Sequence, residues 1–217
     1  MCGLYGFLGD TADVGLLAEL AHLADLRGGH AHGWATTTQE HKERGLFRPD
    51  CPLPTSSMIG HARLATSGAF DDLNCAQPIR AGAWTVAHNG TIPNVGTHVF
   101  RRRLTFPPVD SALLPEFFTR TDTLDGVIEA LEELTAGLPL ALLALRRDGL
   151  LIAARRGHPL HVATFAEGTY FCSASFPGSA LLPDASAVVY HGGHARTLPL
   201  SAGTHLKRHA SGPRWTA

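Results

Sequence analysis

Leu140-Ala141-Leu142-Leu143-Ala144-Leu145-Arg146-Arg147-Asp148-Gly149-Leu150-Leu151-Ile152-Ala153-Ala154 holds two apolar runs around a polar Arg-Arg-Asp-Gly. That pattern predicts a β-hairpin. Downstream, Leu160–Thr164, Thr169–Ser173, Ala187–Tyr190 and Ala195–Leu198 continue as short strands, the last two around a second hairpin signal, Gly192-Gly193. Upstream, Leu124, Val127, Ile128, Leu131 and Leu134 make one apolar face of a helix over 124–134, which Gly137 stops. Ser111–Thr119 predicts a short helix starting near Pro115. Pro93–Pro108, poorly patterned and holding Arg101-Arg102-Arg103, predicts a loop or lid. Met58–Arg63 and Trp84–His88 read as strands that each run into a polar segment. Trp34–Thr38 and Leu46–Arg48 predict paired strands around a polar turn at Gln39–Arg44, with Pro49, Pro52 and Pro54 in a following loop. Leu16, Leu17, Leu20, Leu23 and Ala24 predict a helix over 14–26 ended by Gly28-Gly29, and Leu4–Leu8 predicts a strand before it. Strands dominate both halves and no linker divides them. The expectation is one α+β domain of two sheets over residues 2–207, with a frayed tail at 208–217.

Composition agrees with a packed domain. Of 217 residues 44% are hydrophobic and 17% charged, which excludes collagen, coiled coil and disorder. Eighteen Lys+Arg against nineteen Asp+Glu give a net charge of −1, an argument against nucleic-acid binding, which needs a surplus of cations. No run approaches the roughly 20 apolar residues of a membrane span. The start lacks the basic and apolar segments of a secretory signal. Cys2, Cys51, Cys75 and Cys172 are widely spaced with no C-x-x-C, which predicts a reducing, cytoplasmic location and no disulfide framework. Two lysines against sixteen arginines, with abundant Ala, Gly, Leu and Pro, suggest a GC-rich bacterial genome.

The chemistry gathers at Met1-Cys2-Gly3. Removal of Met1 would put a thiol and a free α-amine on one residue. Their reference pKa values, about 8.5 and about 7.7–8.0, are matched for proton exchange near neutrality. The amine then serves as base toward the thiol, through a water, and the thiolate attacks a carbonyl. Taken alone, Cys2 is also simply a small residue after the initiator. Four further segments add to it. Gly60-His61-Ala62-Arg63-Leu64-Ala65-Thr66-Ser67-Gly68 places a guanidinium at a strand end, suited to a carboxylate or to a surface ion pair. His88-Asn89-Gly90 offers an amide and a backbone N–H that can converge on one oxygen, or a plain turn. Asn74-Cys75-Ala76-Gln77-Pro78 precedes that strand, and Val109-Asp110-Ser111 offers a carboxylate for an ammonium group or a helix cap.

The order and spacing of Met1-Cys2-Gly3, Arg27-Gly28, Gly60-His61-Ala62-Arg63, Gln77-Pro78, His88-Asn89-Gly90 and Asp110-Ser111 resemble the class II glutamine amidotransferases, N-terminal-nucleophile hydrolases that take ammonia from glutamine. The likeness runs over nearly the whole chain. Its second half, through Ala153–Leu160 and Cys172-Ser173-Ala174-Ser175, looks most like the glutaminase domain of glucosamine-6-phosphate synthase. The resemblance implies a four-layer αββα sandwich of two mainly antiparallel sheets. It implies Cys2 as nucleophile with its own amine as base, Asn89 and the Gly90 N–H as oxyanion hole, Arg63 for the glutamine α-carboxylate and Asp110 for its α-ammonium. Thr66 would help hold substrate, Arg27 would support the nucleophile, and His88 belongs to the supporting set. No cofactor is implied.

There are departures. Arg27-Gly28-Gly29-His30-Ala31-His32-Gly33 replaces the family's Arg-Gly-x-Asp-Ser-x-Gly-like segment, Ala112 stands where an acidic residue follows Asp-Ser, and Leu64 and Ser67 replace the synthase group's tryptophan and histidine. With no G-x-x-x-x-G-K-[ST] and no second synthase domain in the sequence, the expected partner is a separate ammonia-accepting synthetase. The alternatives are a hydrolase acting alone on a γ-glutamyl amide, and a non-catalytic module of the same fold. Among thirteen histidines the tightest pairs, His30-x-His32 and His191-x-x-His194, lack nearby Cys or acidic residues in a zinc spacing and read as solvent-facing loop residues, so no metal is expected. Cys51, Cys75 and Cys172 read as buried or incidental thiols, and Arg101–Arg103 as a solvated run.

Overall fold

The computed structural model describes residues 2–47, 55–65 and 69–202. Strands run β1 Gly3–Gly9, β2 Ala31–Ala35, β3 Glu40–Arg44, β4 Ser57–Arg63, β5 Ile79–Ala81, β6 Trp84–Gly90, β7 Leu140–Arg146, β8 Leu151–Arg156, β9 His161–Thr164, β10 Gly168–Cys172, β11 Ala180–Leu181, β12 Ser186–His191 and β13 His194–Pro199. Helices are α1 Val14–Asp25, α2 Val95–Arg102, α3 Leu113–Phe118 and α4 Leu124–Thr135. One sheet has the order β11-β9-β10-β1-β4-β2-β3, the other β13-β12-β8-β7-β6-β5. The paired strands of both are antiparallel.

The period-2 alternation of strand side chains sorts the core into layers. Leu4, Ile59, Ala87, Ala141, Leu143, Ala153 and Phe171 meet between the sheets. Tyr5, Phe7, Met58, Ala62 and Tyr170 point the other way, against Leu17, Leu20, Ala21 and Ala24 of α1. Val86, Leu142, Ala144 and Ile152 face Leu113, Phe117, Val127, Leu131 and Leu134 of α3 and α4. The result is the αββα sandwich. Helix α1 starts where the Asp13 carboxylate accepts from Leu16 N–H at 3.0 Å, and α4 where Thr123 Oγ1 accepts from Gly126 N–H at 3.1 Å. Gly3 lets α1 lie on β1: a Cβ there would sit 2.1 Å from the Ala24 carbonyl oxygen.

Two expectations are corrected, those over Gln39–Arg48 and Pro93–Pro108. Gln39–Arg44 is largely strand β3, paired with β2 from Ala31↔Arg44 to Ala35↔Glu40, and Leu46 and Phe47 lie outside any strand. Its polar side chains misled because β3 is an edge strand and mostly exposed, where polarity carries no information about pairing. Pro93–Pro108 contains helix α2, which buries no residue completely and rests on the core through Val95 and Val99 and through His98 and Arg102 against Phe117. Helix α3 begins at Leu113, two residues before Pro115. The Pro49, Pro52 and Pro54 loop, Arg48, Cys51, Thr66, Ser67 and the tail beyond Ala202 lie outside the described residues.

Candidate active site between the sheets

Cys2 precedes β1 and shares the parity of Leu4, which turns its side chain toward the second sheet. His61 and Arg63 share the parity of Ile59 in β4, and Asn89 that of Ala87 in β6. The four side chains therefore meet at one end of the inter-sheet layer. They line a cavity of about 400 Å³ together with Gln77, His88, Gly90, Asp110, Ser111 and His158.

Cys2 Sγ accepts from Leu64 N–H at 3.2 Å and lies 3.4 Å from the Leu64 carbonyl oxygen. Burial pushes its pKa up, and the Leu64 hydrogen bond opposes that shift. A thiol so placed rests protonated near neutrality and needs a base to become a nucleophile. The Cys2 carbonyl accepts from Asn89 Nδ2 at 2.8 Å and from Arg27 Nε at 3.2 Å, so both side chains hold the Cys2 backbone. One Nδ2 hydrogen of Asn89 remains for a ligand. Gly90 has φ +152°, and a Cβ would stand 2.6 Å from His88 Nε2 and 2.9 Å from the Pro139 carbonyl oxygen, so only glycine fits.

Arg63, in contact with the same cavity, is 4% exposed and donates from Nη1 to the carbonyls of Ala69 (2.9 Å) and Phe70 (3.2 Å), which tethers the segment after β4. Asp110 accepts from the backbone N–H of Ile92 (2.8 Å, Oδ2) and of Ser111 (2.9 Å, Oδ1). Its carboxylate is thereby fixed at the cavity wall, as a single 3-10 turn opens at Asp110. Of the residues singled out in the sequence, Cys2, Arg63, His88, Asn89, Gly90 and Asp110 line this cavity, Arg27 stands behind it, and Thr66 lies outside the described residues.

His61, Gln77, Ser111 and His158, not singled out individually in the sequence, also line the cavity, and so does Cys75, which is buried as one reading of the sequence has it. Two-residue spacing from Arg63 along β4 was the available signal for His61. Burial drives the His61 pKa down to about 3 and that of His88 to about 4, so both imidazoles are neutral near neutrality. Neither His61 ring nitrogen makes a hydrogen bond of normal geometry, and neither does Asn89 Oδ1. His32 is a correction: it is buried in β2 rather than solvent-facing, beside Glu43 at 3.3 Å. Among the described residues no cluster of three or more His, Cys, Asp or Glu could hold a metal, and no helix is long and apolar enough to cross a membrane.

No protein-family model matches the chain. Curated relatives do. Glutamine–fructose-6-phosphate aminotransferase (isomerizing) of Gluconobacter oxydans is 28% identical over 210 residues, 88% of this chain and 34% of the relative. That of Caulobacter vibrioides is 29% identical over 209 residues, with the same two coverages. In sequence the chain is similar to these glutamine–fructose-6-phosphate aminotransferases. It spans about a third of the length of these relatives. The fold agrees. The glutamine phosphoribosylpyrophosphate amidotransferase of B. subtilis, solved with ADP and GMP, superposes with a TM-score of 0.75 at 19% identity, over 91% of this chain and 49% of that one. A glutamine aminotransferase class-II domain protein from Silicibacter pomeroyi superposes with a TM-score of 0.58 at 12% identity, over 92% and 99%.

Proposed function

We propose that this chain hydrolyses the side-chain amide of glutamine through a Cys2 thioester and hands the ammonia to a separate synthetase. The observation that carries the reading is the convergence of Cys2, Arg63, Asn89, Gly90 and Asp110 on one cavity. Glutamine carries an anion and a cation on one carbon, and Arg63 and Asp110 offer one partner for each. With Met1 removed, the Cys2 amine takes the thiol proton, and Sγ bonds to the amide carbon. The carbonyl electrons move onto oxygen, where Asn89 Nδ2 and the Gly90 N–H donate. The C–N bond then breaks as the amine returns the proton and ammonia leaves. Water attacks the thioester, with the amine again as base, releasing glutamate and the free thiol. The raised pKa of Cys2 supports a mechanism with a base in place.

The test is intact mass before and after 6-diazo-5-oxo-L-norleucine, a glutamine-like electrophile, with Cys2→Ala as control. The expected result is loss of Met1 and a single adduct that the control lacks. A retained Met1 with no adduct overturns the reading.

A further inference from the structure

Behind the oxyanion donors lies a chain of polar contacts that the reaction above does not use. The parity of His88 in β6 is that of Val86, so its ring turns to the helix side of the sheet, away from Cys2. There it is 2% exposed. Gln77 grips its backbone twice: His88 N–H donates to Gln77 Oε1 at 2.7 Å, and Gln77 Nε2 donates to the His88 carbonyl at 3.1 Å. Ring Nδ1 lies 3.0 Å from Ser111 Oγ. The Ser111 hydroxyl in turn lies 3.5 Å from Asp110 Oδ1, the oxygen that already accepts from Ser111 N–H.

Ser111 Oγ also accepts from Gln77 Nε2 at 3.4 Å. Its 3.0 Å contact with the His88 ring is the shortest of its three side-chain contacts, and it holds ring and hydroxyl together whichever of the two carries the proton. The far end of the ring abuts Gly90, whose absent Cβ would fall 2.6 Å from Nε2, and Nε2 has no hydrogen-bond partner of its own. The imidazole thus spans from the carboxylate's neighbour to the backbone of the second oxyanion donor.

We propose that His88 is a positioning residue joining Asp110 to Gly90, so that an ammonium group captured by Asp110 sets the Gly90 N–H. The inference rests on the glutaminase reading and adds that substrate recognition and oxyanion stabilisation are linked. Ser111 holds Asp110 by its N–H at 2.9 Å and touches the His88 ring at 3.0 Å, so a shift of the carboxylate toward a bound cation carries Ser111 and the ring with it. A substrate without the ammonium leaves the donor unset. It therefore loses turnover as well as affinity, because small misplacements of a donor are felt in the transition state.

The experiment compares γ-glutamyl-p-nitroanilide with glutaryl-p-nitroanilide, the same anilide without the α-amino group, on the full chain and on Ser111→Ala. In the unsubstituted protein, loss of the ammonium raises KM and lowers kcat, the latter roughly tenfold. In Ser111→Ala the KM difference stays, because Asp110 is still there, and the kcat difference disappears. A purely structural role for Ser111 would lower kcat for both anilides alike and keep their ratio. His88→Asn keeps a donor for Ser111 but withdraws the ring from Gly90, and the same loss of coupling is expected. An unchanged kcat ratio in either folded variant overturns the link while leaving the glutaminase reading intact. A parent protein inert toward both anilides and toward glutamine overturns that reading, and this inference with it.

Discussion

Two cavities of nearly equal size stand in different parts of the molecule. The first, about 400 Å³, opens between the sheets at Cys2. The second, about 430 Å³, lies beside the segment after α2 and is lined by Ile79, Leu104, Phe106, Pro107, Pro108 and Leu113, with Arg80, Arg103 and Glu116 among its polar members. Volume does not separate them; the state of their polar groups does. In the first, His61, Arg63, His88 and Asn89 are buried on strands of the two sheets, and four atoms of His61, His88 and Asn89 lack a hydrogen bond of normal geometry. In the second, only Arg80 Nε among the lining residues is in that state, 3.3 Å from Glu40, and the rest of its guanidinium donates to the carbonyls of Thr36 and Thr37. Buried polar groups without partners are costly to folding. Their concentration around one thiol is what distinguishes a prepared site from a surface hollow, and three experiments press on that contrast.

The largest effect is expected at Asn89. In the reaction proposed above, Asn89→Ala removes one of two oxyanion donors, a loss that typically lowers kcat about 10²–10³-fold. Arg103→Ala, in the second cavity, should leave glutamine hydrolysis unchanged. Steady-state ammonia release measures both. Equal effects would erase the distinction between the cavities.

The next is a pH dependence of stability that the first cavity carries and the second does not, since of the two only the first is lined by histidines. Native His61 titrates at about 3 and His88 at about 4, against an unfolded value of 6.5. Between pH 4 and 6.5 the unfolded chain therefore binds more protons than the native one. Stability contributed by these neutral rings is present above pH 6.5 and is lost as pH falls through that window. Two such groups give a slope of up to about 2.7 kcal/mol per pH unit. Urea unfolding at a series of pH values from 5 to 7 reads it. A flat profile would show that both rings are hydrated in solution, and half the slope that one of them is.

The same contrast explains what was legible beforehand. The strands that build the first cavity were readable because their apolar residues are buried on a fixed period: Leu4–Leu8, Met58–Arg63, Trp84–His88 and Leu140–Leu145 all sit inside observed strands. Side chains such as Arg63 and Asn89 stood out as polar exceptions at strand ends. His61 did not, because a lone histidine in an apolar strand looks the same whether it packs or faces a ligand. The Ser111–His88 contact joins residues 23 apart, and no local pattern encodes it. Helix α2 and strand β3 escaped for a different reason. Both are largely solvated, so their sequences carry little of the burial signal from which periodicity is read.

The smallest expected effect lies in the second cavity and is informative because it is small. Phe106 is 67% exposed, and Phe100 on α2 is 85% exposed. An aromatic side chain already in water loses little on truncation, since the transfer free energy it could contribute scales with area removed from solvent. Phe106→Ser should then shift unfolding free energy by no more than about 0.5 kcal/mol, the usual range for surface positions. Glutamine turnover should be unaltered. Chemical denaturation and ammonia release, run on one preparation, test both halves. A loss of 2 kcal/mol or more would mean that Phe106 packs in solution and that the hollow closes over it. A loss of turnover with stability intact would mean that the second cavity communicates with Cys2, through the Val109–Leu113 turn that borders both. Either outcome would make the two cavities parts of one site.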